Sequence, residues 1–251
     1  MKKSRQRPNG FTLIELLVVI AVIAVIAAIA LPVLSGAGKR ALLASEISAA
    51  KSVTAALQMY AADNNGAVLP GYRSGQSVAD QSGKPISGEP AKRYPWRLAP
   101  YLGYDVKKAF LASGQKIMND DLVYTVSVVP SLGMNSLWLG GDEGRSRPNP
   151  FNQRFASGFS SAGGVTRMSQ VLRPSRMIAF VSGIYGGGMG GDRQHGHFRV
   201  EHPAVNVDFR HAQDKALVVF VDGHTELLSR QELQDERLWK NLPDSTGVAA
   251  R

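Results

Sequence analysis

The stretch Gly10–Leu31, GFTLIELLVVIAVIAVIAAIAL, decides what the rest of the chain can be. From Phe11 to Leu31 it holds 21 residues and a single charge, Glu15. At 1.5 Å rise per residue a helix of that length spans roughly 31 Å, the thickness of one bilayer core. Val and Ile are abundant here. In water their β-branching slightly disfavours helix, but in lipid the backbone must satisfy its own hydrogen bonds, and a helix is the single-segment way to do so. The stretch therefore predicts one membrane-crossing helix, residues 11–34, close to the N-terminus.

Residues 1–10 carry Lys2, Lys3, Arg5 and Arg7 and no acid. Such an excess of positive charge holds the N-terminus in the cytoplasm and sends the C-terminal part of the chain across the membrane. Glu15 is the anomaly, because a carboxylate at mid-bilayer costs about 2.5–3.5 kcal/mol on insertion scales and marks a role. If the chain is cut between Gly10 and Phe11, Glu15 lies four residues after the new amino group, one turn along the same helix face. An amine and a carboxylate can then meet. A competing reading is an ordinary secretory signal, since Ala28-Ile29-Ala30 has the A-x-A form of a leader peptidase site. An acid inside the apolar run argues against it, and the two readings differ in whether ten or thirty residues are lost.

Gly10-Phe11-Thr12-Leu13-Ile14-Glu15 after a short basic leader resembles the cleavage and methylation signal of type IV pilins and type II secretion pseudopilins. The resemblance implies that a prepilin peptidase cuts after Gly10 and methylates the amine of Phe11. It also implies that Glu15, with Thr12 and Pro32 in the same assembly segment, guides entry into a fibre, Glu15 by pairing with the Phe11 amine of a neighbouring subunit. The implied partners are the peptidase, other pilin-like subunits, the inner-membrane assembly machinery and membrane lipid. The implied fold is α+β and pilin-like: a long N-terminal helix packed on a small, mainly antiparallel sheet. The implied location is the bacterial inner membrane, N-terminus cytoplasmic and head outside, and then a fibre in the periplasm or at the cell surface.

The remaining length, residues 64–251, suits one extracytoplasmic head. The chain has 29 Lys and Arg against 20 Asp and Glu; without the four cations of the leader the count is 25 against 20, a net of +5, too weak to imply nucleic-acid binding. Cysteine is absent, which removes disulfides, thiolate nucleophiles and Cys-based metal sites. Gly 26 and Pro 13 point to a loop-rich domain.

Pro32 removes a helical donor and is followed by Gly36 and Gly38, so the helix is expected to weaken there. Leu43, Ile47, Ala50, Val53, Leu57 and Tyr60 then recur at spacings of three and four, with Ser45, Glu46, Ser48, Lys51 and Gln58 between them. This is an amphipathic helix over residues 35–63, ending at Asp63-Asn64-Asn65-Gly66, where Gly66 suits a left-handed cap. Residues 71–92 read as a long polar loop, and Tyr94–Gly103 as an aromatic packing anchor on a short helical turn. Tyr124–Val129 and Met177–Ser182 read as strands. Gly186–Gly191 formally satisfies GxGxxG after a strand, but no apolar helix comes after it to hold a pyrophosphate, so the segment reads as a loop. Ala216–Val221 and His224–Leu228 flank Asp222-Gly223, a tight-hairpin signal within residues 211–228. Ser229-Arg230-Gln231-Glu232 is a capping box that predicts a helix over about 230–241.

His211, Asp222 and Gly223 carry a second resemblance, to the H-x9-DG signature that ends one group of pilin-like proteins, here with ten intervening residues. Tyr60–Asn64, Trp96–Gly103, Gly133-Met134-Asn135 and Pro174-Ser175-Arg176 extend that likeness thinly along the chain. All five histidines, 195, 197, 202, 211 and 224, lie in the last quarter near Asp192, Asp208 and Asp222. Imidazole and carboxylate are ordinary zinc ligands, which makes His211, Asp222 and His224 candidates for a structural metal; a structural pair or turn role for His211 and Asp222 is the simpler expectation. No dense Asp and Asn run for calcium, nucleophile elbow, P-loop or carboxylate dyad appears, so neither an enzyme nor a cofactor is expected. The alternatives are an adhesive or DNA-binding minor pilin, for which Arg145, Arg147 and Arg154 are the only basic run, and a membrane-anchored metal-dependent enzyme.

Overall fold

The computed structural model describes residues 12–143, 164–186 and 193–242, and gives residues 30–36 by backbone alone. Gly10, Phe11, the run Arg145, Arg147 and Arg154, most of the Gly186–Gly191 loop and the tail from Pro243 lie outside the described residues. The chain divides into two compact units, residues 1–42 and 43–251.

One helix, α1 (Leu13–Asp63), begins in the first unit and ends in the second. It passes through Pro32, Gly36 and Gly38 without a break, so the weakening expected there does not interrupt the helix. A single missing N–H is tolerable inside a helix this long, because the neighbouring turns keep their own bonds. The end falls where the sequence places it: Gly66 at φ 79° donates its N–H to the carbonyl of Ala61 at 2.7 Å.

Within the first unit, large apolar residues from Leu13 to Ile29 are exposed on every side of the helix, from Val19 at 45% to Leu13 at 86%. Successive residues turn by about 100°, so exposure of nearly all of them leaves no preferred face. The stretch with described side chains is 17 residues long, and among the described residues no helix is long and apolar enough to cross a membrane.

In the second unit the chain continues through β1 (Val78–Ala79) and β2 (Pro85–Ile86), a two-residue ribbon inside the polar segment 71–92. Short helices come next: α2 (Glu89–Lys92), α3 (Tyr94–Leu98), α4 (Val106–Phe110) and α5 (Leu122–Val128). Then come β3 (Leu132–Met134), β4 (Ile178–Ser182), β5 (Ile184–Tyr185), β6 (Gln194–His195), β7 (Lys215–Phe220), β8 (Thr225–Ser229) and α6 (Glu236–Trp239). The main sheet is antiparallel in the order β3-β4-β7-β8. This is an α+β, pilin-like arrangement of a long N-terminal helix followed by an antiparallel head.

The unbroken apolar run in β7 reflects burial on both faces of the sheet. Leu217 and Val219 join the core cluster that contains Ala50, Val53 and Leu57 of α1 and Tyr94 of α3. Ala216, Val218 and Phe220 join a second cluster with Val200, Leu233 and Trp239. The α1 stripe is thus one wall of the larger core, with Leu43, Ile47 and Tyr60 packed partly buried at its margin.

Two local expectations need correction. Of Tyr124–Val129, where a strand is expected from the β-branched residues, Tyr124–Val128 is helical as part of α5. Asp121 decides this: its Oδ1 accepts the Tyr124 N–H at 2.9 Å and caps the helix, while Thr125 Oγ1 donates to the Asp121 carbonyl. The predicted helix over 230–241 is two short pieces, a 3₁₀ turn at Glu232–Gln234 and α6. The Ser229–Glu232 capping box forms, with Ser229 N–H and Oγ both 2.7 Å from Glu232 Oε2, but Asp235 starts a new cap by accepting the Arg237 N–H at 3.0 Å and breaks the run.

Candidate functional site

Two sets of residues carry more than packing. The first is the helix start. Thr12 is the N-cap of α1: its carbonyl accepts the Leu16 N–H at 3.2 Å, and its Oγ1 accepts the Glu15 N–H at 3.3 Å. Glu15 reaches back, and its Oε2 lies 2.8 Å from both the Thr12 N–H and the Thr12 hydroxyl. The T-x-x-E spacing in this motif is therefore a capping box, with the acid at the third helical position. The acid that looked misplaced in an apolar run has local partners at the positive end of the helix dipole.

The second set sits where α1 meets the sheet. Glu46 is expected among the outward polar residues of the amphipathic half, yet it is fully buried. Arg210 Nε donates to Glu46 Oε1 at 3.0 Å, and Arg210 Nη1 donates to Asp208 Oδ2 at 2.9 Å. Arg210 Nη2 also donates to Ser113 Oγ at 2.8 Å. His211 Nε2 stands 3.0 Å from Glu46 Oε2. Asp208 Oδ2 meets His195 Nδ1 at 2.6 Å. Burial pushes the Glu46 carboxyl up, but the His211 contact and the Arg210 charge outweigh it and hold the group below the ordinary carboxylate value. The cluster joins α1, the segment after α4, and the chain between β6 and β7 through buried charge.

His211 and Asp222 do not form one site. His211 bridges to Lys215 at the start of β7, whereas Asp222 lies beyond Phe220 at its end; six strand residues separate them by about 20 Å. Asp222 instead pairs with His224, Oδ1 to Nδ1 at 2.6 Å, and the His224 ring stacks on Phe220 at 4.2 Å. The connection between β7 and β8 is four residues, Val221-Asp222-Gly223-His224, rather than a two-residue turn: Gly223 adopts φ 92° and donates to the Phe220 carbonyl at 2.9 Å. Gln58 of α1 ties this loop down by donating to the Val221 carbonyl at 3.0 Å. His211, Asp222 and His224 are thus divided between two ends of a strand, and among the described residues no three His, Asp or Glu side chains are grouped as a metal set.

Among protein families, the prokaryotic N-terminal methylation motif matches residues 5–31. The chain carries the prepilin cleavage and methylation motif. That motif is typical of type IV pilins and pseudopilins, and it implies a membrane-anchored precursor that a prepilin peptidase processes. The match covers the leader from Arg5 onward, the Thr12–Glu15 capping box and the apolar stretch through Leu31, and leaves the head unmatched. No curated protein and no solved structure matches the chain. Glu46 and Arg210 belong to none of the motifs read from the sequence; the signal available was the spacing of Glu46, four residues before Ala50 and seven before Val53, on the inward face.

Proposed function

We propose that this chain is a non-catalytic subunit of a type II secretion pseudopilus or a type IV pilus-like fibre. In this reading residues 1–10 are removed as a leader between Gly10 and Phe11, and the new amine is methylated. Residues 11–34 hold the precursor in the inner membrane, N-terminus cytoplasmic, and residues 64–251 form the head outside. The apolar surface exposed on all sides of Leu13–Ile29 supports it, since such a surface is stable against lipid or other apolar helices and not in water.

The capping box gives Glu15 a place in the assembly step. Both Thr12 contacts fall on Oε2, which leaves Oε1 to accept the amine of an incoming subunit's Phe11. The carboxylate is never bare: its own N-cap satisfies it in the single subunit, and the neighbour's charge compensates it in the fibre. The observation that carries the reading is the methylation motif over residues 5–31. Mass analysis of the N-terminus of protein purified from membranes holding the peptidase tests it. A chain that starts at a methylated Phe11 is the expected result; one that starts after Ala30 would overturn the reading.

A further inference from the structure

The head contains a cleft of about 820 Å³ that the N-terminal motif does not explain. One wall is the segment Gly114–Asn119 after α4; the other is the β5–β6 ribbon together with Arg193. The walls are joined by Gln194, whose Oε1 accepts the Lys116 backbone N–H at 3.1 Å.

The chemistry of the lining is one-sided. Lys116 comes from one wall and Arg193 from the other, both exposed, and among the described residues neither is held in an ion pair. Among the described residues no carboxylate lines the cleft. The acid behind the cleft, Asp208, is engaged by Arg210 at 2.9 Å and by His195 Nδ1 at 2.6 Å. The amide Nε2 of Gln194 is a buried donor with no hydrogen-bond partner among the described residues. A native structure rarely leaves such a donor idle without a use for it. Ile184, Tyr185 and Ile117 add apolar surface beside these donors.

Two cations on facing walls, with no acid among the described lining residues, describe a seat for an anion. We propose that this cleft binds a phosphate group. A carboxylate presents two oxygens in one plane and is satisfied by one guanidinium, whereas a tetrahedral phosphate accepts donors from both walls at once. The apolar flank and the volume accommodate a small carbon skeleton attached to the phosphate. The site is independent of leader cleavage and fibre assembly, and stands or falls separately from them.

Calorimetric titration of the full chain in detergent tests this, with inorganic phosphate and glycerol phosphate as probes and sodium chloride at matched ionic strength as the reference. Saturable phosphate binding above the chloride background is expected, weakened at least tenfold in a Lys116→Gln/Arg193→Gln double variant and unchanged in Lys51→Gln. Tighter binding of glycerol phosphate supports a phosphorylated organic ligand; equal binding supports the free ion. Both substituted side chains are exposed, so the double variant keeps its fold, and circular dichroism verifies that it does. No saturable binding of either probe, or equal binding by the double variant, overturns the proposal.

Discussion

At the scale of single residues, Glu46 is where burial and charge meet. Its carboxylate faces Arg210 and His211 with no exposure to water, and Arg210 is simultaneously held by Asp208. Breaking a buried pair by removing one partner costs about 3–5 kcal/mol, mostly because the remaining charge is stranded. Glu46→Ala should therefore lower the stability of the head by about that amount in denaturant unfolding, while Lys51→Ala, exposed one turn further on, should change it by less than about 0.5 kcal/mol. The pH dependence has a defined sign. The folded value of Glu46 lies below its ordinary 4.5, so its contribution is present above pH 4.5 and is lost as pH falls through the folded value. The stability gap between wild type and Glu46→Gln should accordingly be widest near neutral pH and narrow below pH 4.5. A gap that stays constant down to pH 3 would show that the carboxylate charge contributes nothing.

At the scale of elements, close approach of backbone fixes how the sheet edge is built. A Cβ placed on Gly133 in β3 would lie 2.8 Å from the His197 carbonyl oxygen and 2.6 Å from Val200 Cγ1. Gly133→Ala should push the 197–200 segment off the sheet and destabilise the head by about 1–3 kcal/mol, read from the shift in its unfolding midpoint. Asp121→Ala should cost about 1 kcal/mol by removing the cap of α5, a smaller loss because the helix is short and its buried face remains. These two positions also show what was readable in advance. The C-terminal end of α1, its apolar stripe and the β7–β8 hairpin follow from periodicity and turn chemistry, which act over a few residues. The helix at Leu122–Val128 was hidden because its β-branched content favours a strand, and the deciding signal was one aspartate before it. The buried pairing of Glu46 with Arg210 spans 164 positions in sequence, and no local pattern announces such a contact. His211 and Asp222 are close in sequence but stand at the two ends of β7, so the strand between them keeps them from meeting.

At the scale of the whole molecule, the question is whether Glu15 serves its own helix or a neighbour. The capping box accounts for the acid within one subunit: Thr12 and Glu15 exchange three hydrogen bonds at the start of α1. Were that its whole role, Thr12→Val and Glu15→Gln would behave alike, each loosening the first turn by about 1 kcal/mol. A fibre contact separates them. Thr12→Val removes the hydroxyl yet leaves the carboxylate for an incoming Phe11 amine, so it should be inserted, cleaved and incorporated at close to the wild-type level. Glu15→Gln leaves a side chain of the same size but no charge, and Glu15→Val none of the polarity. Both should be inserted into the membrane normally and enter fibres at least tenfold less often, measured as the sheared-fibre fraction relative to the membrane-bound pool. Co-expression with wild type sharpens the test, because a subunit lacking the acid still offers its own Phe11 amine to the carboxylate of a wild-type neighbour. It should therefore enter mixed fibres more readily than fibres of its own. Equal incorporation of Glu15→Val and Thr12→Val would remove the intersubunit role and leave the acid as a helix cap alone.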